Sequence, residues 1–121
     1  MPKLIYISGK MGEQQLSQPT IDKFKKAQDK LVDEGWAVIN PASPPFQKDA
    51  QKHVAIEAKK WKDLDYGTYD SYAWLLLWAM HALALADAIY MLKDWQDSPG
   101  ATTEFFYAKA CNKEIIFEEE P

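Results

Sequence analysis

"DAIYMLKDWQDSPGATTEFFYAKA", residues Asp87 to Ala110, changes character halfway along, and that change decides the fold. Its opening, "DAIYML", is a short apolar run with β-branched and aromatic side chains, bounded by polar residues; it reads as a buried strand. Ser98 and Pro99 then mark a helix start, because Ser is a good N-cap and Pro at the first helical position loses no N–H that the helix needs. The helix is expected over Pro99 to Asn112, with "KDWQDSPG" as the loop between. Strand, loop, helix is the repeating unit of a parallel sheet.

The same unit recurs on both sides. "KLIYISG" near the N-terminus is a strand running into a tight loop, Gly9 to Gly12. From Pro19 to Glu34, Ile21, Phe24, Ala27 and Leu31 fall at helical spacing, with Thr20 or Ser17 as cap and Gly35 as the stop. "WAVIN", Trp36 to Asn40, is a second strand closed by Pro41, and "PASPPFQ" reads as a proline-rich loop. Gln47 to Lys62 has a weak helical stripe of Val54, Ile56 and Trp61. Tyr69 to Ala86 is a nearly all-apolar helix, and "EIIFE" before the C-terminus is a last strand. Alternation of this kind predicts an α/β three-layer sandwich around a parallel sheet of about four strands, flavodoxin- or Rossmann-like.

The totals narrow the function. One domain spanning 1–121 is expected, since a chain of 121 residues buries roughly two-thirds of its unfolded surface in a single core. The net charge of −4 gives no basic footprint for polymeric nucleic acid or an anionic membrane. All 14 cations are Lys, so a bound phosphate would be held by backbone N–H groups, hydroxyls or Lys rather than by an Arg fork. A single Cys, Cys111, fits a cytoplasmic protein, and no ligand spacing suggests a metal or other cofactor. "MPKLIYISG" lacks a signal-peptide pattern. "AWLLLWAMHALALADAIYML", Ala73 to Leu92, is long enough for a bilayer span, but His81 and Asp87 interrupt it; a helix followed by a strand is expected instead.

In open parallel sheets, ligands bind beyond the carboxyl ends of the strands. Three loops meet there: "SGKMG", "NPASPP" and "KDWQDSPG". Ser98 and Gly100 open the last helix, either as a plain cap or as an anion cradle. At about 100° per residue, Ala101, Glu104, Phe105, Ala108 and Cys111 share one face of that helix, while Thr103, Phe106, Lys109 and Ala110 turn away. Glu104 is thus on the inward stripe. A buried carboxylate needs a partner or a use, and helical side chains lean toward the N-terminus, here toward the ligand rim. On the residues alone, Glu104 is either a buried tie to Tyr6 or a Lys, or a reactive group.

"IYISGKMG", "EGWAVINPA", "ADAIYMLKDWQDSPGATTEFFYAKA" and "IIF" together resemble the nucleoside 2-deoxyribosyltransferase-like superfamily, its small bacterial and phage-type members in particular. The specific part is Trp95, Ser98, Gly100, Ala101, Glu104 and Ala108; Gln47 to Tyr72 carries no resemblance. The resemblance implies that Glu104 is a nucleophile toward the anomeric carbon of a nucleoside, oriented by Tyr6, as in retaining glycosidases. It implies a monophosphate substrate too, because a Ser stands at the position, Ser98, where the transferases carry Asp and related monophosphate hydrolases carry Ser. Ser8, Gly9 and Lys10 would complete the phosphate cradle, with Asn40 and Asp94 as further substrate-binding residues on the neighbouring loops. Two positions depart from the pattern: Ala79 stands where a carboxylate usually assists the leaving base, with Asp70, Asp94 or His81 as substitutes, and the chain ends soon after the last strand.

Other residues are expected in structural roles. Asp87 reads as a strand-entry residue, His53 as solvated, His81 as a core or interface histidine, and Cys111 as a small buried side chain. Trp61, Tyr66, Tyr69, Tyr72, Trp74 and Trp78 crowd one stretch; they either roof a base pocket or form a subunit interface, with Trp74 and Trp78 assigned to the interface and Tyr66 and Tyr69 to the ligand. The expectation is a small-molecule enzyme on nucleosides or nucleotides, working as a homodimer or larger homo-oligomer. Its rivals are a non-catalytic nucleotide binder and an oligomeric scaffold.

Overall fold

Each strand of this chain is too short and too apolar to stand alone, so it is stable only between neighbours in a sheet covered by helices. The computed structural model describes residues 2–11, 16–63 and 71–119. Along the chain come β1 (Leu4–Ser8), α1 (Gln18–Asp33), β2 (Ala37–Ile39), α2 (Pro44–Asp63), α3 (Ser71–Ala84), β3 (Ala88–Met91), α4 (Pro99–Ala110) and β4 (Glu114–Phe117). The four strands form one all-parallel sheet in the order β2-β1-β3-β4. The three-layer α/β expectation is met. The order reverses between β1 and β3, which places the crevice of such a sheet at their carboxyl ends.

Strand alternation sorts the core into two halves. Ile5, Ile7 and Tyr90 face α1 and pack with Phe24, Ala27 and Leu31. Tyr6, Ile89 and Met91 point the other way, against Ala79, Leu83 and Ala108 of α3 and α4. Full burial of each large aliphatic or aromatic side chain contributes roughly 1.5–3 kcal/mol, so these two clusters fix which helix lies on which face. Asp87 ties the start of β3 to β1: its carboxylate accepts the Leu4 N–H at 2.8 Å and its own N–H donates to the Leu4 carbonyl. It is a strand-entry residue, as its position implied.

Most element boundaries follow their local signals. Ser17, not Thr20, caps α1 by accepting the Thr20 N–H, and Gly35 takes φ +97° just beyond the helix. The "PASPPFQ" stretch is different from the expected loop. Ser43 accepts the N–H groups of Phe46 and Gln47, so α2 begins at Pro44 and swallows both prolines into its first turn. Proline is harmless there because first-turn N–H groups have no intrahelical partner. Trp61's side chain, Tyr66, Tyr69 and Asp70 lie outside the described residues, as does part of the Gly9 to Gly12 loop. Among the described residues no helix is long and apolar enough to cross a membrane. The Ala73 to Leu92 stretch divides into α3 and β3.

β1 ends against Leu92, and this contact needs a glycine. A Cβ on Gly9 would stand 2.6 Å from Leu92 Cδ1, and Leu92 is fully buried. Gly9→Ala is therefore expected to cost about 1–3 kcal/mol through overpacking. Urea denaturation should show a lower midpoint at unchanged slope; an unchanged midpoint would mean that Leu92 can retreat.

Candidate active site

β1 supplies two hydroxyls to the face it shares with α4. Residues two apart on a strand project to the same side, so Tyr6 and Ser8 stand one above the other, with Ser8 nearer the carboxyl end. Opposite them, α4 begins at its Ser98 cap, whose Oγ accepts the Ala101 N–H at 3.1 Å. Glu104 lies one turn further and leans back toward that end. Tyr6 O–H donates to Glu104 Oε2 at 2.6 Å, and Ser8 O–H donates to Oε1 at 2.7 Å. All three residues are buried: Tyr6 is 0% exposed, Ser8 1% and Glu104 6%.

The electrostatics of this trio have two opposed parts. Loss of solvent penalises the charged carboxylate and dominates; the two hydrogen bonds favour the charge and offset only part of it. The balance raises Glu104 to about 7. Burial first, then the charge and hydrogen bond of Glu104, push the Tyr6 phenol well above its ordinary value, so it remains a donor. The carboxylate is thus poised between its two forms near neutrality.

Glu104 faces a cavity of about 540 Å³, of a size common for small-molecule sites. Gly9, Ser98 and Gly100 line it from the expected loops. Pro99 has no N–H, and Ser98 takes those of Ala101 and Thr102, which leaves the Gly100 N–H as the first-turn donor that Ser98 does not engage. The remaining wall comes from the middle of the chain: Phe46, Gln47 and Gln51 of α2, and Tyr72, Leu76 and Ala79 of α3. Gln47 Nε2 donates to the Pro41 carbonyl at 2.6 Å. The sequence predicts a helix from Gln47 onward, but its inward face is read from Val54, Ile56 and Trp61; Gln47 and Gln51, which share a face at i, i+4, are not placed at the site by that stripe.

Three expected substrate residues stand elsewhere. Lys10 is exposed; its N–H donates to Asp94 Oδ1 at 3.0 Å and its carbonyl accepts from Lys23 Nζ at 2.9 Å. Asp94 Oδ2 pairs with Lys23 Nζ at 2.5 Å. Together the three form a clasp between the first loop, the third loop and α1. Asn40 folds its own turn, accepting the Ala42 N–H and donating to Gln28 Oε1, both at 2.9 Å. Ser8, expected in the phosphate cradle, gives its proton to Glu104.

Several minor expectations change. Cys111 is exposed, since it caps the end of α4 after the buried stripe has run out. His53 is half-buried and stacks on Trp78 at 4.7 Å between ring centroids, so it is not simply solvated. His81 is exposed and also stacks on Trp78, at 5.5 Å between ring centroids, which excludes the core role. Among the described residues no three His, Cys, Asp or Glu groups cluster as metal ligands. Ala79 is 8% exposed, its methyl group in the cavity wall.

Residues 3–117 match the family described as Domain of unknown function (DUF4406), and the chain belongs to that family. No curated protein matches the chain.

Glu104 also sets a pH dependence of stability. Its folded pKa, about 7, lies above its unfolded value of 4.5, so the folded state binds more protons between those two values. Its contribution is therefore most favourable below pH 4.5 and is lost as pH rises through about 7, by something on the order of 3 kcal/mol. Glu104→Gln lacks this term. Urea melts of both proteins at pH 5 and pH 8 should show wild type losing ground to the variant at the higher pH; a constant difference would contradict the burial.

Proposed function

We propose that this protein is a cytoplasmic N-glycosidase or glycosyltransferase acting on a nucleoside or nucleoside 5′-monophosphate through a covalent glycosyl-glutamate. One observation carries the reading: a carboxylate buried at the switch point of the sheet, with each oxygen held by a hydroxyl, faces a small-molecule cavity. A structural tie would need no cavity beside it. The resemblance of the Trp95 to Ala108 motif to nucleoside 2-deoxyribosyltransferases supports the same assignment.

Glu104, ionised, attacks the anomeric carbon; the C–N bond breaks, its electron pair leaves with the base nitrogen, and that nitrogen takes a proton from water. Water or an acceptor base then attacks the same carbon, gives up a proton, and frees the carboxylate. Tyr6 holds the carboxylate throughout. Ser98 and Gly100 lie where the 5′ end would meet the start of α4, whose dipole favours an anion. The walls from α2 and α3 would receive the base, with Phe46 and Tyr72 offering aromatic surface.

Glu104→Gln and Glu104→Ala should each abolish base release, read by chromatography of nucleosides and their 5′-monophosphates. Because attack needs the ionised form, wild-type kcat/KM should fall about tenfold per pH unit below about 7 and level off above it. Failure of the wild type to release base from every nucleoside and monophosphate tested would sink the enzyme reading. The Ala79 methyl in the wall favours a second reading, a nucleotide binder without turnover. Such a binder would show a rise in melting temperature with ligand and no product.

We also propose that α3 is a subunit interface. Leu77 is 54% exposed and Leu85 67% exposed, on the stripe that carries the half-buried Trp74 and Trp78. Among the described residues the buried Trp78 Nε1–H has no hydrogen-bond partner, and Trp74, Leu77 and Trp78 line one groove. Light scattering should give a dimer or larger, and Leu77→Glu with Leu85→Glu should give monomers; a monomeric wild type at high concentration would overturn the assignment.

A further inference from the structure

Ser8 is a buried hydroxyl whose proton goes to Glu104, and the mechanism above does not use it. The terminal torsion of a Glu side chain has a broad, roughly two-fold profile, so one hydrogen bond leaves a carboxylate free to rock about the bonded oxygen. Two donors on different oxygens remove that freedom. Tyr6 and Ser8 do this from a single strand, where their two-residue spacing fixes the distance between the donors.

The two donors are not equivalent. Tyr6 is fully enclosed and its O–H lies near the ring plane, so it has little freedom to leave Oε2. Ser8 is as deeply buried, but it lies at the carboxyl end of β1, directly before Gly9 in the cavity wall, and its O–H turns about the Cβ–Oγ single bond. The hydroxyl on Oε1 is therefore the one on the Gly9 side, toward the cavity, and its proton can turn away from Oε1 by rotation alone.

We propose that Ser8 is a positioning residue for Glu104: it locks the carboxylate plane against Tyr6 and presents Oε1, rather than Oε2, for attack on the anomeric carbon. The inference rests on the glycosidase reading. In the attack Oε1 forms the bond to the anomeric carbon, the bond from that carbon to the base nitrogen breaks, its electron pair leaves with the nitrogen, and water supplies the proton. Oε2 becomes the ester carbonyl and keeps the Tyr6 hydrogen bond. Ser8 O–H releases Oε1 as the bond forms and takes it up again when the ester is cleaved.

The surroundings allow a clean test. From β1, Tyr6 is the titratable neighbour; from α3, Tyr72 lines the cavity; α2 contributes the neutral Gln47 and Gln51. No Lys, His or Asp lines the cavity among the described residues. Loss of a hydrogen bond to a charged group should raise its pKa by about one unit or more, a tenfold change.

The experiment compares wild type, Ser8→Cys and Ser8→Ala. Glu104 is titrated by carbon-13 NMR of the labelled carboxyl, assigned with Glu104→Gln, and base release is followed from pH 5 to pH 10. The midpoint should rise in the order Ser, Cys, Ala, because a thiol is a weaker donor, and the acid limb of kcat/KM should move with it. On the alkaline plateau Ser8→Ala should lose about 10- to 100-fold in kcat with KM within about twofold, since orientation and not binding is lost. An active wild type whose Ser8→Ala variant keeps both midpoint and plateau overturns the positioning role and leaves Glu104 as nucleophile. A wild type that releases no base while the midpoint still moves overturns the glycosidase reading and the presentation of Oε1 with it.

Discussion

A carboxylate removed from water takes up a proton unless donors hold its charge, and here both donors come from the strand at the centre of the crevice. The Tyr6 and Ser8 bonds to Glu104 join residues 98 and 96 apart in sequence. They can form only if β1 lies beside β3, so that α4, which follows β3, returns over β1. Strand order, the spacing of two hydroxyls and the lean of a helical side chain are therefore one constraint. Desolvation outweighs the two hydrogen bonds, which hold back part of the rise, and the group ends at about 7.

Weaker interactions set the shape of the rim. The clasp of Lys23, Asp94 and the Lys10 backbone is about one-third exposed at its ion pair, and pairs of that kind contribute roughly 0–1 kcal/mol. Its effect on stability is small beside the buried clusters. Its effect on geometry is larger, because it links the loop after β1, whose Gly9 and Met11 line the cavity, to the loop after β3. Behind the clasp, Gly9 lets β1 run against Leu92 with no side chain between them. The rim is held by contacts that cost little to change, and the floor by contacts that cost much.

What the sequence revealed and what it hid divide along physical lines. Local signals sufficed for the strands, for the cap at Ser98 and for the inward turn of Glu104, because each depends on residues within one or two turns; at α1 they left Ser17 and Thr20 both open. Ser8 could not be placed in the same way. A serine at the end of a strand and before a glycine serves equally as a loop donor or as a side-chain partner, and only the arrival of α4 decides between them. The start of α2 was hidden because prolines that end one element also suit the first turn of the next. Asp94 and Asn40 looked like ligand residues by position; their charges and amides are taken up by Lys23, Lys10, Ala42 and Gln28.

Ala79 gives the arrangement its chemical slant. On the glycosidase reading Glu104 must be ionised to attack, so the same group cannot also protonate the departing base. The position from which a carboxylate would do so carries a methyl group in the cavity wall, beside Leu75 and Leu76. Bond breaking then leans on the leaving group's own ability to accept the electron pair and on water entering the cavity. A nucleophile near neutral pKa compensates in part, because desolvation that raises its pKa also makes its ionised form a stronger nucleophile toward a cationic sugar. On that reading the site is weighted toward trapping the sugar rather than activating the base, and it would suit substrates whose base leaves readily.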